Sequence, residues 1–323
     1  MIRGLGIAAA IVGLCTAVPA WATFSIIACD RQGSCGAAVA TNNLAVGATV
    51  IHARARVGAI ASQFETNPSH GPKGLALLAA GTDAEATLRE LVRTDDGFEG
   101  QDATFRQIGV IGAIGIGAAY TGKEATDSPW AGALTGPGFS IQGNGLSGAN
   151  VVEAMRSAYL KTEGSLADRL MAALEAGEAA GGQTTGRLSA ALLVRTPDGG
   201  FQDIDLRVDA AKQPVAELRR LLGYHQANDA IVRAERAVRT GQALRARAYL
   251  AEAVRLGAGW DRIWRRAARL GMAMGDPGVA LQALAALASV NPVWARIEAE
   301  DRIYADLWKD ADAAKWRQKL VQR

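Results

Sequence analysis

The start of the sequence holds the residue with the clearest chemical potential, a threonine that chain cleavage would expose. Basic Arg3 precedes an apolar stretch over 5–18, and Ala20-Trp21-Ala22 then shows the small-x-small pattern of a signal-peptidase site. We therefore expect residues 1–22 to be a signal peptide and the protein to be periplasmic or secreted. Thr23 would then be the first residue of the mature chain. Its α-amine, with a pKa of about 8 in small peptides, would be a built-in base for its own hydroxyl.

Two other interpretations of this segment are open, an uncleaved membrane anchor and a lipoprotein attached at Cys15. The apolar stretch is rich in glycine and alanine and falls short of the ~20 strongly apolar residues of a membrane span. Bulky Leu14 directly before Cys15 disfavours lipidation. No later stretch is long and apolar enough to span a membrane, so we expect no membrane span after signal cleavage.

Cys29 and Cys35 flank a polar turn, and two interpretations of them are open. In an oxidising compartment they would form a disulfide across a hairpin; otherwise they would be two buried free thiols. Their spacing does not fit a zinc knuckle, and the three histidines lie far apart in the chain. We therefore predict neither a metal site nor a cofactor.

Charge gives little information about partners. The net charge is +3, and the arginines that become dense after Asn228 alternate with alanine and leucine at helical spacing. This pattern is typical of a solvated helical face, with binding of nucleic acid or an anionic envelope surface as the alternative. We predict no nucleic-acid partner.

The elements that must position Thr23 follow the order strands, helices, strands, helices, strands. This order differs from the alternation of a parallel sheet and predicts an α+β fold with helices covering antiparallel sheets. Predicted caps include Ser147 and Ser165. The predicted strands are 24–29, 36–41, 44–51, 57–62, 106–112, 114–121, 189–195 and 201–208, and the predicted helices are 74–80, 84–93, 147–162 and 165–180.

After Pro214 the pattern is helical only. Gly241 and Gly275 are 34 residues apart, as are Leu250 and Leu284, and Trp260 and Trp294. This is the spacing of tetratricopeptide (TPR) repeats, so we predict an all-α, TPR-like helical-repeat domain over 228–323, with an ordinary helical bundle as the alternative. Such repeats bind peptides or protein surfaces. A protein partner of these helices and a homo-oligomer are both compatible with the sequence.

Residues 23–222 resemble the DUF1028 family, an N-terminal-nucleophile (Ntn) hydrolase-like family of unknown function. The matching motifs occur in the family's order: Thr23-Phe24-Ser25-Ile26, Val57-Gly58-Ala59-Ile60-Ala61-Ser62-Gln63, Asn67-Pro68, Arg106-Gln107, Gln142-Gly143-Asn144, Gly186-Arg187 and Asp205-Leu206-Arg207-Val208-Asp209. The resemblance implies an αββα four-layer sandwich. Members without a signal peptide begin Met-Thr-Phe-Ser, so methionine removal would expose the same threonine there.

The resemblance and the residue types together give candidate site residues. Asn144 would donate its amide to an oxyanion, or it is a turn asparagine. Ser189 would assist near the nucleophile. Arg106 would clamp a substrate carboxylate, or it forms a structural ion pair with Asp209 or Glu175. Gln63 and Asn67 would line the pocket, or they tie a loop. The catalytic candidates are Thr23, Asn144 and Ser189, and the substrate-binding candidates are Gln63, Asn67, Arg106, Gln107 and Gly143.

The sequence therefore predicts an Ntn-type amidohydrolase that cleaves a C–N bond of a small or peptidic substrate outside the cytoplasm. Thr23 would attack the carbonyl while its α-amine carries the proton. The alternatives are a non-catalytic envelope binding or adaptor protein and a structural module whose repeats organise a complex.

Overall fold

The computed structural model describes residues 22–322, which divide into two compact units at Leu218 and Arg219. The predicted signal peptide lies outside the described residues except for Ala22. The division falls inside a continuous helix, Pro214–Arg239. The predicted boundary at 222–228 lies in the same helix.

The first unit contains two antiparallel sheets. The six-stranded sheet has the order β10-β9-β2-β1-β8-β7, and the four-stranded sheet has the order β3-β4-β5-β6. Thr23 is directly opposite Thr41 on one side and Asn144 on the other. The strands are β1 Thr23–Cys29, β2 Cys35–Thr41, β3 Ile51–Arg54, β4 Gly58–Phe64, β5 Arg106–Gly112, β6 Ala118–Thr121, β7 Gly132–Gly136, β8 Phe139–Asn144, β9 Ser189–Arg195 and β10 Ile204–Val208.

Helices cover the outer face of each sheet, and the inner faces pack on each other. Helices α1 and α2 contact β4 and β5, whereas α4 and α5 contact strands of the six-stranded sheet. Small side chains such as Ala37 and Ala59 share the core between the sheets with Ile27 and Ile111. The helices are α1 His70–Ala79, α2 Ala84–Arg93, α3 Lys123–Thr126, α4 Asn150–Lys161 and α5 Leu166–Ala179.

Cys29 and Cys35 face each other across the β1–β2 hairpin and form a disulfide. Of the two open interpretations, the disulfide is therefore the one the structure contains.

Two predicted features of this unit are wrong. The strand predicted over 44–51 is a 3₁₀ turn at Val46–Ala48, entered through Ala45 in the left-handed conformation (φ 54°). Gly47 lies so close to β9 that a Cβ there would be 2.4 Å from that of Ala191, so only glycine fits at this position of the turn. Ser147 is not a cap, because α4 begins at Asn150. Ser165 does cap α5, through a capping box with Asp168.

The second unit is helical. Gly241 and Gly275 each end a helix with φ of 69°, so two turns 34 residues apart have the same backbone conformation. Ala246 and Ala280 follow these turns and are both fully buried. Among residues 22–322, every helix is too short or too polar to cross a membrane. The helices from Pro214 onward are α6 Pro214–Arg239, α7 Ala243–Leu256, α8 Asp261–Ala273, α9 Pro277–Val290, α10 Pro292–Ala299 and α11 Ala311–Val321.

Candidate functional site

Four polar side chains form a row across neighbouring strands at one end of the six-stranded sheet. Ser189, Thr41, Thr23 and Asn144 are directly opposite one another on β9, β2, β1 and β8. Opposite residues in antiparallel strands project to the same face. Ser25, two residues after Thr23, donates to Gln63 Oε1 of the other sheet at 2.7 Å. The row therefore faces the interior between the two sheets.

Thr23 is held on both its side chain and its main chain. Its Oγ1 lies 3.0 Å from Thr41 Oγ1, and its carbonyl oxygen accepts from Gln63 Nε2 at 3.2 Å. The hydroxyl of Thr41 also donates to the carbonyl oxygen of Ala22 at 2.8 Å. Thr23 is 5 % exposed and the residue before it is fully buried. The candidate nucleophile thus sits in a defined position at the beginning of a central strand.

Hydrogen bonds to backbone atoms fix the orientations of the amide side chains beside Thr23. Gln107 Nε2 is 2.9 Å from the carbonyl oxygen of Gly143, which can only accept, so Gln107 Oε1 must point the other way. That oxygen accepts from Gln63 Nε2 at 2.8 Å and from Asn144 Nδ2 at 2.9 Å. Asn144 Oδ1 is buried and has no hydrogen-bond partner among the described residues. We call Thr23, Thr41, Gln63, Gln107 and Asn144 the inner cluster.

Two further candidates contribute less directly to this site. Ser189 lies in the row, but its hydroxyl donates to the carbonyl of Asn43 at 2.6 Å and accepts from the N–H of Val46 at 3.1 Å. It therefore ties down the loop after β2. Gly143 contacts the inner cluster through its carbonyl oxygen, and a Cβ there would lie 2.4 Å from Leu146 Cδ1.

Arg106 and Asn67 lie away from the inner cluster. Arg106 forms a buried ion pair with Asp95 at 2.9 Å, so the predicted partners Asp209 and Glu175 are wrong. Its remaining N–H groups donate to backbone carbonyls of the surrounding loops. Asn67 donates to Asp96 at 2.9 Å and accepts from the N–H of Ser69 at 3.0 Å. Both side chains anchor loops.

The sequence reasoning missed a second polar cluster, on the outer face of the four-stranded sheet. His70 Nδ1 is 3.1 Å from Ser62 Oγ, and His70 Nε2 is 3.2 Å from the carboxylate of Asp95, which also pairs with Arg106. Burial lowers the pKa of His70, and this effect exceeds the opposing one of Asp95. We call Ser62, His70, Asp95 and Arg106 the outer cluster. Its members are 8 to 44 positions apart along the chain, a separation that no local motif reveals.

The pKa of Asp95 is lower than usual although burial opposes this, because Arg106, the N–H of Gly97 and His70 all favour the charged carboxylate. The outer cluster is therefore a charged network around one buried carboxylate. Among the described residues, no three His, Cys, Asp or Glu side chains converge as metal ligands would.

The comparisons with known proteins concern the first unit. The model of the family of unknown function DUF1028 matches residues 23–218. Among solved structures, the chain is similar to the DUF1028 protein SPO2555 from Silicibacter pomeroyi, with 32% sequence identity and a TM-score of 0.56. That similarity covers 62% of this chain and 84% of the other. No protein of curated function is significantly similar. Since the family model matches more than half of the sequence, the chain belongs to the DUF1028 family.

Proposed function

We propose that the protein is an Ntn-type hydrolase that cleaves the amide bond of a small or peptidic substrate, with Thr23 as nucleophile. The observation that carries the proposal is the position of Thr23. It begins a central strand, between Thr41 and Asn144, and the region shared with the DUF1028 family also begins at this residue. An N-terminal nucleophile requires its residue to be both the chain start and a fixed part of the site.

The layers of the first unit support an Ntn-hydrolase-like αββα sandwich. Two helices cover one sheet, two cover the other, and the inner faces pack together. The row of Ser189, Thr41, Thr23 and Asn144 lies between the sheets, at one end of the layers. A substrate carbonyl would enter at this end.

The proposed reaction needs the free α-amine of Thr23, which exists only after the bond to Ala22 is cut. This requirement fits the predicted export and a periplasmic or secreted location. Thr23 Oγ1 attacks the substrate carbonyl and its proton passes to the α-amine. The C–N bond then breaks, the leaving nitrogen takes that proton, and water releases the acyl group from the threonine oxygen. Gln63 supports this step by holding the Thr23 carbonyl.

Asn144 suits a role in positioning the substrate. Asn144 Nδ2 donates one of its two hydrogens to Gln107 Oε1, and the other remains for a hydrogen bond to an oxyanion. Its unpartnered Oδ1 would accept from an N–H of the substrate, since a buried acceptor without a partner costs about 1–3 kcal/mol. An amide substrate offers both groups.

The helical unit supports a second candidate function, an envelope adaptor. The matched turns at Gly241 and Gly275, 34 residues apart, favour TPR-like repeats. An apolar pocket of about 270 Å³ lies among α7, α8 and α9, next to Trp264 and Leu250. In this proposal the helices bind a protein or peptide, with or without catalysis in the first unit.

Comparing the mature wild type with Thr23→Ala and Thr23→Ser tests the enzyme proposal. A broad screen of amides should show turnover in wild type, reduced turnover in the serine variant and essentially none in the alanine variant. Losing the nucleophile should cost several powers of ten, because nucleophile and base act as one unit. Equal turnover in wild type and Thr23→Ala rules out the proposal and leaves the adaptor.

A further inference from the structure

We infer that Thr41 is a second catalytic residue, whose hydroxyl donates to the carbonyl oxygen of the acyl group that Thr23 carries during hydrolysis. This inference rests on the proposed function and adds to it the group that holds the substrate carbonyl. Ser189, the third hydroxyl of the row, is excluded from that role by its two backbone partners.

The direction of the hydrogen bonds at Thr41 follows from its partners. A hydroxyl has one proton, and the carbonyl oxygen of Ala22 can only accept, so Thr41 donates its proton there at 2.8 Å. The hydroxyl of Thr23 must then donate to Thr41 Oγ1, at 3.0 Å. The Thr41 hydroxyl therefore forms one hydrogen bond with the nucleophile oxygen and one with the carbonyl oxygen of an acyl group.

That acyl group shows where a substrate would sit. The Ala22 acyl group is attached to the nitrogen of Thr23, whereas a covalent intermediate carries the substrate acyl group on Oγ1 of the same residue. The nitrogen and Oγ1 of Thr23 are separated only by Cα and Cβ. An acyl carbon that bridged these two atoms would close a five-membered ring, so an acyl group on either atom lies in nearly the same place. Ala22 is fully buried in the uncleaved chain. Removal of Ala22 therefore vacates the position next to Thr41 that an acyl group occupies in the uncleaved chain.

Loss of Ala22 also takes the carbonyl acceptor from the Thr41 hydroxyl, and Thr23 Oγ1, 3.0 Å away, remains as its acceptor in the free mature chain. Once Thr23 Oγ1 bonds to the substrate carbon it becomes a poorer acceptor, and the hydroxyl of Thr41, which is 1 % exposed in the uncleaved chain, turns to the carbonyl oxygen. The N–H of Asn43, 3.4 Å from Thr41 Oγ1, cannot replace the acceptor because it is itself a donor. A substrate carbonyl restores the lost hydrogen bond, which strengthens as charge develops on that oxygen.

The chemical step balances without any change at Thr41. The bond from Thr23 Oγ1 to the substrate carbon forms, the Thr23 hydroxyl proton goes to the α-amine, and the carbonyl electron pair moves to the oxygen facing Thr41. When that pair returns, the C–N bond breaks and the leaving nitrogen takes the proton from the α-amine. Thr41 keeps its own proton and donates a hydrogen bond throughout.

Acylation of the mature protein by p-nitrophenyl acetate, followed by release of p-nitrophenolate and by intact mass, tests the inference. Thr41→Val removes the hydroxyl at nearly constant shape and should slow acylation of Thr23 by roughly 10²–10³-fold, the cost of one oxyanion donor. Thr41→Ser keeps the hydroxyl and should stay within about tenfold of wild type. Thr87→Val is the matched control, since Thr87 is a fully buried threonine in α2, and its acylation rate should match wild type.

The outcomes separate the two proposals. Wild-type acylation rates in Thr41→Val overturn the role of Thr41 and leave the proposed function standing. A wild type that is not acylated overturns the proposed function and this inference together. A measurement independent of catalysis uses the chain that retains Ala22: the ¹³C resonance of the Ala22 carbonyl should move upfield in Thr41→Val and stay in Thr41→Ser. An unchanged resonance in Thr41→Val overturns the inference, also where that variant is too unstable for kinetics.

Discussion

The inner and outer clusters lie back to back on the two faces of one sheet, yet they differ in charge and in the use of their polar atoms. Gln63 and Gln107 of the inner cluster directly follow Ser62 and Arg106 of the outer cluster along β4 and β5. Consecutive strand residues point to opposite faces, so only the four-stranded sheet itself lies between the two clusters. The inner cluster contains only amides and hydroxyls, whereas the outer cluster contains a buried carboxylate, an imidazole and a guanidinium.

By residue type alone, the outer cluster is the better catalyst. Ser62, His70 and Asp95 are the components of a serine-hydrolase triad. However, Arg106 commits the carboxylate to an ion pair that anchors a loop. The inner cluster has no charged side chain, and its base is created by cleaving the chain. Both clusters are buried, so the proposed assignment of catalysis to the inner cluster depends on its uncommitted base and not on triad residue types.

The largest expected effect separates the two candidate nucleophiles. Thr23→Ala should abolish amide turnover, by several powers of ten. Ser62→Ala should leave turnover within about threefold and reduce the free energy of unfolding by roughly 1–3 kcal/mol, because the ring nitrogen of His70 loses its partner. Steady-state kinetics and chemical denaturation of both variants measure this. Loss of turnover in Ser62→Ala at unchanged stability would contradict the assignment of catalysis to the inner cluster.

The second expected effect is a difference in stability loss between substitutions of Arg106 and Gln107, which are neighbours on β5. Arg106→Met should lower the free energy of unfolding by about 3–5 kcal/mol, since it leaves the Asp95 carboxylate buried without its cation. Gln107→Met should cost about 1–3 kcal/mol by leaving the Gly143 carbonyl and Asn144 without a partner. Denaturant unfolding gives both numbers. A larger loss of stability in Gln107→Met would reverse the structural roles given to the two clusters.

A smaller effect is expected at Ser189. Ser189→Ala should reduce stability by about 1 kcal/mol, because two backbone groups of the β2 loop lose their hydrogen bonds. Turnover should remain within a few-fold of wild type. A hundredfold lower kcat with unchanged stability would instead show that Ser189 is a catalytic residue.

The smallest effect is a pH dependence of stability. Burial lowers the pKa of His70 in the folded protein, so the unfolded chain takes up the proton first as pH falls. The stabilisation from neutral His70 is therefore complete above about pH 6.5 and is lost as pH falls through the folded-state pKa. His52 adds to the same slope, since burial lowers its pKa too.

Denaturation of wild type and His70→Gln between pH 7 and pH 5 measures this slope, which should be shallower in the variant. Turnover should fall with pH equally in both proteins, because it depends on the α-amine of Thr23, with a pKa near 8 in small peptides. A pH profile of turnover that changes in His70→Gln would show that the clusters are coupled.

Much of the first unit was predictable because its strands and helices have regular patterns and clear boundaries. Helix α2 was predicted over its full length, and the capping box at Ser165 marks the start of α5. The segment 44–51 was not predictable, since Ala45 adopts a left-handed turn that its residue type disfavours. Strands β7 and β8 were also missed, because glycine and proline interrupt their apolar pattern.

The site was predictable only where it lies on regular strands. The row containing Thr23 and Asn144 depends on strand ends that the motifs mark, whereas the role of Thr41 depends on register and on the proximity of Ala22. The ion pair of Arg106 with Asp95 joins β5 to an irregular loop, whose path the sequence pattern does not define. Pairings of this kind depend on tertiary structure, and so the predicted partners of Arg106 were wrong.

The mass of the probe-treated protein and of its N-terminal peptide tests most directly whether Thr23 is the nucleophile. The mature chain should begin at Thr23 and carry a single acyl group on the oxygen of that residue, with no acyl group on Ser62. A mature chain that begins at another residue, or an acyl group on Ser62, would contradict the claim that Thr23 is the nucleophile.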